Sequence, residues 1–349
     1  MKICHQHLNL FIIISLFVIC LPKNIELLYS LRISNERPII SGNYIFYLKG
    51  SAIKALDRNY DSYDMFGNGY RKPLLNQCTN WGPSVFFVKD CRLEMWEDRG
   101  KDTLKGHKIF ERTFNELSGD QCYSTLDMFY EDKEKDVAVY NTQNNKITVF
   151  NLKEKNIYGT NDNVIGKVEM DYNVKQALIY NYGDNKSILI GIDSHNINFY
   201  NLRRKRTWGD FFLRRKLTHS LKLNEYFYSY YGRKTAGIME VDNKKDKLLF
   251  IDYSVNLFDL NTFKSINSLY INNPTSVFTT KKGSAFIGNK SGNIYLINYR
   301  NGKLNILEQF NVCNGEILDI SCDDDVRYLL VQCEEKNGIF LKHISLGNI

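Results

Sequence analysis

YIFYLKGSAIKALD, residues Tyr44 to Asp57, reads as two short apolar strands folded about Lys49-Gly50-Ser51. Gly at the tip suits a tight hairpin, because it enters the φ > 0 region without steric cost. The pattern returns six times. It recurs in SVFFVKDCRLEMWE (Ser84 to Glu97), DVAVYNTQNNKITVFN (Asp136 to Asn151) and SILIGIDSHNINFYN (Ser187 to Asn201). It continues in KLLFIDYSVNLFD (Lys247 to Asp259), SAFIGNKSGNIYLIN (Ser284 to Asn298) and VRYLLVQCEEKNGIFLKH (Val326 to His343). The polar residues closing the seven hairpins stand at 57, 97, 151, 201, 259, 298 and 343, at intervals of 40, 54, 50, 58, 39 and 45.

A strand-built repeat of about 40–50 residues is the signature of a propeller blade. The flanks complete the unit. The sixth hairpin is preceded by TSVFTT and followed by KLNILEQF; the fifth lies between AGIMEV and SINSLYI, the third between STLDMFY and VIGKVEM. The expected fold is all-β, a single seven-bladed β-propeller of four-stranded antiparallel blades spanning residues 21–349. After EILDIS and the last hairpin the sequence ends at Ile349 without an outer strand. NIELLYS, Asn24 to Ser30, is expected to supply it, since an unpaired sheet edge would otherwise be exposed.

SGNIYLINYRNGK, Ser291 to Lys303, resembles the repeat of quinoprotein-type propellers. LFDLNTFKS (Leu257 to Ser265) and VFNLKEK (Val149 to Lys155) resemble the blade ends of WD-repeat proteins. The resemblance covers residues 25–349 as a pattern and implies the β-propeller superfamily. The Gly-His and Trp-Asp signatures and the blade-locking Trp are missing, so it does not imply a bound quinone, and no cofactor is expected.

Hydrophobic residues make up 43% and charged residues 24%, an ordinary globular balance, and with 5 Pro no linker divides the chain. The Asn, Lys, Tyr and Ile bias resembles that of proteins from AT-rich genomes, apicomplexan ones among them. Near the start, Lys2 precedes LFIIISLFVICLP, Leu10 to Pro22. This run falls short of the ~20 residues of a membrane span and suits a signal peptide. Cleavage is expected after Cys20, or as late as Ser30, leaving a mature chain with no transmembrane segment. The expected location is the secretory pathway: secreted, vacuolar or cell-surface-associated. Six cysteines then remain: Cys78, Cys91, Cys122, Cys313, Cys322 and Cys333. They are candidates for disulfides in an oxidising compartment, mainly local ones, and their spacing offers no structural zinc site. No metal is expected.

Two segments suggest binding. RRKRTWGDFFLRRK holds Arg203, Arg204, Lys205, Arg206, Arg214, Arg215 and Lys216 against Asp210 alone. Such a cluster steers an acidic or membrane-associated protein partner, a sulfated glycan or lipid headgroups. Downstream, EYFYSYYGRK carries Tyr226, Phe227, Tyr228, Tyr230, Tyr231 and Arg233 in the connection between blades 4 and 5. Tyr and Arg are the residue types that anchor interfaces. The two segments are expected to act on one site, cations steering and aromatics anchoring. Asn185-Lys-Ser and Asn289-Lys-Ser are glycosylation sequons. The connection between blades 2 and 3 places His107 and Glu111 on one face if it is helical. No HExxH, GxSxG or phosphate-binding glycine loop occurs, so no catalytic residue is assigned. Export argues against a nucleic-acid partner. The expected function is a secreted, non-catalytic protein–protein interaction module or scaffold. The alternatives are a propeller enzyme acting on glycans and a luminal secretory-pathway quality-control component.

Overall fold

In KLLFID and SVNLFD the apolar positions are frequent enough to bury both faces of a sheet, and Leu248, Leu249, Val255 and Leu257 are fully buried. Leu189, Ile190, Phe286 and Ile287 repeat the pattern among the described residues. In this computed structural model the described residues are 25–33, 39–41, 44–49, 52–56, 62–66, 72–79, 82–89, 92–98, 106–113, 126–131, 136–141, 145–151, 164–183, 186–203, 217–223, 234–280, 283–323 and 326–347.

The first described strand is β1 (Glu26–Ile33). A first sheet follows: β2 (Ile39–Ser41), β3 (Tyr44–Lys49), β4 (Ala52–Leu56) and β5 (Ser62–Phe66). The second holds β6 (Lys72–Thr79), β7 (Gly82–Lys89), β8 (Arg92–Asp98) and β9 (Gly106–Thr113). The third holds β10 (Leu126–Glu131), β11 (Asp136–Asn141), β12 (Lys146–Asn151) and β13 (Val164–Glu169). The fourth holds β14 (Gln176–Gly183), β15 (Lys186–Ile192), β16 (Asn196–Arg203) and β17 (Leu217–Lys222). The fifth holds β18 (Ala236–Val241), β19 (Lys244–Asp252), β20 (Ser254–Asp259) and β21 (Lys264–Leu269). The sixth holds β22 (Pro274–Thr279), β23 (Ser284–Asn289), β24 (Asn293–Arg300) and β25 (Lys303–Asn311). The last holds β26 (Glu316–Cys322), β27 (Tyr328–Glu335) and β28 (Gly338–Ser345). Its fourth strand is β1, antiparallel to β28 from Glu26 opposite Ser345 to Ile33 opposite Ile339. Each hairpin read from the sequence forms the two central strands of a four-stranded antiparallel sheet. His107 and Glu111 lie on β9, not on a helix. Four residues along a strand span about 13 Å, too far for the two to share a metal or a proton. No helix among the described residues is long and apolar enough to cross a membrane.

The closing polar residues fix register. Asn151 stands opposite Asp136 and donates to its Oδ1 at 2.6 Å. Asp259 stands opposite Lys247 and accepts from its Nζ at 2.8 Å. Burial works against charge on both members of the second pair. The Asp246 carboxylate on Lys247, their mutual bond, and the Thr262 and Asn261 amides on Asp259 outweigh it, so the carboxyl sits below its usual range and the amine above.

Among the described residues, every outer strand carries one extra residue opposite its neighbour. The bulged residues are Met65, Ile109, Ile165, Thr218, Ile266, Leu307 and Leu28. A bulge interrupts the ladder and twists the edge, which deters pairing with another chain.

Sheets join through their first strands. Gln176 of β14 accepts from the Thr235 and Ala236 amides at 3.1 Å and donates to the Ala236 carbonyl at 2.8 Å. Thr275 donates to the Ile317 carbonyl at 2.6 Å, and the Val277 amide to the Lys234 carbonyl at 2.7 Å. Apolar layers fill the gaps. One holds Leu249 and Leu257 of the fifth sheet with Val277 and Ile287 of the sixth. Another joins Ile45 and Leu56 of the first sheet to Leu330 and Leu341 of the last.

That seam yields two predictions. Leu341→Ala should cost about 2–5 kcal/mol of stability in urea unfolding; a cost below about 1 kcal/mol would mean that the first and last sheets do not share a core. His343 lies on β28 opposite Leu330 and Tyr29, its ring 5.3 Å from Tyr328. Burial holds its pKa below the ordinary 6.5, opposed by Asp323. The folded state therefore binds fewer protons than the unfolded one. Stability should be intact above about pH 6.5 and fall as pH drops below it. His343→Asn should flatten this part of a Tm-against-pH curve; an unchanged slope would place the titration elsewhere.

Candidate functional site

Four antiparallel strands put their connections at alternating ends. The second connection of each sheet and the link to the next sheet share one end; the first and third connections share the other. Neighbouring sheets are aligned in this respect, because the Gln176 clamp joins the starts of two first strands. The molecule therefore offers two faces of turns.

On the first face, turn chemistry fixes the tips. Asp193, fully buried after β15, accepts from the His195 and Asn196 amides, each at 2.7 Å. Burial raises its carboxyl pKa, and those two bonds oppose the shift. Asn289 does the same after β23, accepting from the Ser291 and Asn293 amides at 3.1 and 2.8 Å. Its Nδ2 donates to the Asn272 carbonyl at 3.2 Å, and the residue is 2% exposed. This corrects the glycosylation reading at Asn289: the amide that would carry the glycan is inside the fold. Gly292, at φ 80, completes the turn. A Cβ there would overlap the Cys313 carbonyl, so only glycine fits.

The tips present tyrosines. Tyr172, in the link from β13 to β14, stacks on His195 with ring centroids 4.1 Å apart. Tyr253, between β19 and β20, is 52% exposed at φ 58. A bulky residue in the left-handed region is uncommon and costs about 1–2 kcal/mol. Tyr270, in the link from β21 to β22, is 76% exposed. The sequence reading passed over all three, although Tyr253 marks a hairpin tip and Tyr270 precedes Ile271-Asn272-Asn273-Pro274, a turn signal.

Of the residues expected to bind, Arg203 ends β16, and nothing else of the set falls within the described residues: Arg204, Lys205, Arg206, Arg214, Arg215, Lys216, Tyr226, Phe227, Tyr228, Tyr230, Tyr231 and Arg233 lie outside them. The strands that bracket these segments are described. The basic segment leaves from the end of β16 and returns at the start of β17; the aromatic segment leaves from the far end of β17. With six residues at about 3.4 Å each, β17 sets the two departure points roughly 17 Å apart on opposite faces.

Cys313 and Cys333 stand at disulfide distance, with Cα atoms 6.0 Å apart, twenty residues apart in sequence. Their sulfurs and the Glu335 carboxylate lie within 4.8 Å of one another. These groups are already engaged, because Lys342 donates to Glu335 at 2.6 Å and holds its pKa down. Cys322 is buried, its Sγ 3.8 Å from Asp323 Oδ1. Cys78 lies on β6, and Cys91, Cys122 and Asn185 lie outside the described residues.

No family model matches the sequence, and no curated protein does. Solved structures do match. A chain of the mitotic checkpoint complex aligns over 94% of both chains at TM-score 0.63 and 8% identity. The WD40 beta propeller domain of Doa1 aligns over 93% of this chain and 97% of its own at TM-score 0.60 and 10% identity. With four-stranded antiparallel sheets packed side by side through their first strands, the chain has the β-propeller fold, of the kind seen in WD40 domains.

Proposed function

We propose that this protein is an exported, non-catalytic interaction scaffold. Residues 1–20 act as a leader into the secretory pathway, and residues 21–349 form one ring of seven blades. The ring binds a protein partner on its tyrosine face. The neighbours in fold favour an interaction role, one being part of a checkpoint complex and the other a WD40 domain. The contacts between first and last sheets favour a closed ring. Export is supported by the apolar run at 10–22 and by a cysteine pair suited to an oxidising compartment.

The observation that carries the reading is Tyr253. Its turn keeps a strained, half-exposed tyrosine where Asn or Gly would be cheaper. Strain of this kind concentrates at functional sites. Tyrosine offers a large contact area at low side-chain entropy cost, which suits a protein interface.

Strain and binding should separate. Tyr253→Asn should leave the melting temperature unchanged or raise it, since Asn tolerates left-handed backbone. Combined with Tyr270→Ser, it should weaken capture of the partner retained by wild-type protein from native cells by about 2 kcal/mol or more. A double variant that binds that partner as tightly as wild type would move the site off this face. Export has its own check. Mass mapping of the native protein without reductant should recover a peptide linking Cys313 to Cys333; full alkylation of both would contradict an oxidising compartment.

A further inference from the structure

We propose that the seam between the first and last sheets is an acid-operated latch, in which protonation of His343 releases β1 and parts the two sheets. His343 is half-buried on β28. Its neighbours across the two ladders are Leu330 on β27 and Tyr29 on β1. Residues directly opposite each other share a face, so His343 projects to the same side as both. It stands two residues from Leu341 and therefore shares that face as well. Leu330 and Leu341 form the seam layer with Ile45 and Leu56 of the first sheet, and Tyr29 and Leu31 pack against it. The imidazole thus belongs to the layer that joins the first sheet to the last.

An imidazolium in this layer has little to replace its lost water. Tyr328, 5.3 Å away between ring centroids, and Tyr29 bring no carboxylate. The first sheet contributes Ile45 and Leu56. Asp323 favours the cation but is already committed. Its Oδ1 accepts from the Arg327 and Tyr328 amides at 2.7 and 2.8 Å, and its Oδ2 lies 3.8 Å from Arg327 Nε. Glu26, opposite Ser345 at the start of β1, is exposed, where water screens its charge. Lys342 projects to the other side of β28 and is held by Glu335. Asp324 and Asp325 lie outside the described residues. Burial outweighs Asp323 and keeps the ring's pKa below 6.5.

The cost of that charge falls on the lightest attachment. Among the described strands β1 pairs only with β28, so it can leave without breaking the β27–β28 hairpin. Its Leu27 and Leu28 are exposed, so they contribute little burial to hold it. Elements with few buried contacts open ahead of the core. The open seam takes up a proton at the ordinary 6.5, the closed one only at lower pH. Acid therefore favours opening by up to about ten-fold per pH unit. Along a secretory route that ends in an acidic vacuole, the latch would open on arrival. In the purified chain it operates whether or not the protein is exported, so its test is independent of that reading.

The test is hydrogen exchange of the purified chain of residues 21–349 at about pH 7.4 and about pH 5, corrected for the intrinsic rate at each pH and read by mass spectrometry. Residues 26–33 should lose protection in acid by at least about three-fold, with a ceiling of about thirty-fold set by the distance from 6.5 to about 5. The sixth-sheet strands β24 and β25 should keep theirs. In His343→Gln the acid loss should vanish. Should that variant not fold, the imidazole proton resonance of His343 in wild-type protein must titrate with a midpoint below 6.5. The proposal is overturned by β1 protected alike at both pH values, by an equal loss in the sixth sheet, by a loss that persists in the variant, or by a midpoint at or above 6.5.

Discussion

The pairing of β1 with β28 is the constraint on which the rest depends. A four-stranded sheet of this composition cannot bury either face by itself, so each leans on two neighbours. The last sheet has only three strands from its own stretch of chain, and without β1 the β28 edge would be bare. The two most distant strands of the sequence therefore meet, and Tyr29 and Leu31 of β1 pack against the layer of Ile45, Leu56, Leu330 and Leu341. Closing so long a loop is slow but not prohibitive, because loop entropy grows only with the logarithm of length. What it secures is the burial of the first and last sheets against each other.

Closure deals with β28 but leaves every sheet an outer edge. The bulge found in the outer strand of each described sheet answers that liability. In the second to sixth sheets it lies opposite the two residues before the closing polar residue, as at Leu257 and Phe258 or Leu296 and Ile297. The register of the inner hairpin and the kink of the outer strand are thus set within a few residues of each other. With the rim made unsuitable for pairing, recognition is left to the two faces of turns.

Much of this was legible because strands announce themselves at period two and hairpins by their tips. The central hairpins and the role of the segment after Asn24 followed from that pattern and from the missing outer strand of the last unit. Two readings failed for physical reasons. His107 and Glu111 have helical spacing, but spacing cannot say that Arg92 to Asp98 needs an antiparallel neighbour. Asn289 fits a sequon, yet the same side-chain oxygen that suits a turn tip is drawn inward to cap it.

The two faces of turns carry different exposed side chains, Tyr172, Tyr253 and Tyr270 on one and Lys244, Lys245, Arg300 and Lys303 on the other. Tyrosines bind by burial after contact, and their contribution depends little on salt. Lysines and arginines act over a Debye length before contact and lose strength as ions are added. Mixed on one face, each would compromise the other, since a fully desolvated aromatic anchor cannot sit among strongly hydrated ammonium groups without stripping their water. Because antiparallel sheets send alternate connections to opposite ends, a change in one class of turn leaves the other class untouched. A chain built this way can hold a partner on one side while the turns of the other side vary, and the central strands that separate the two need not move.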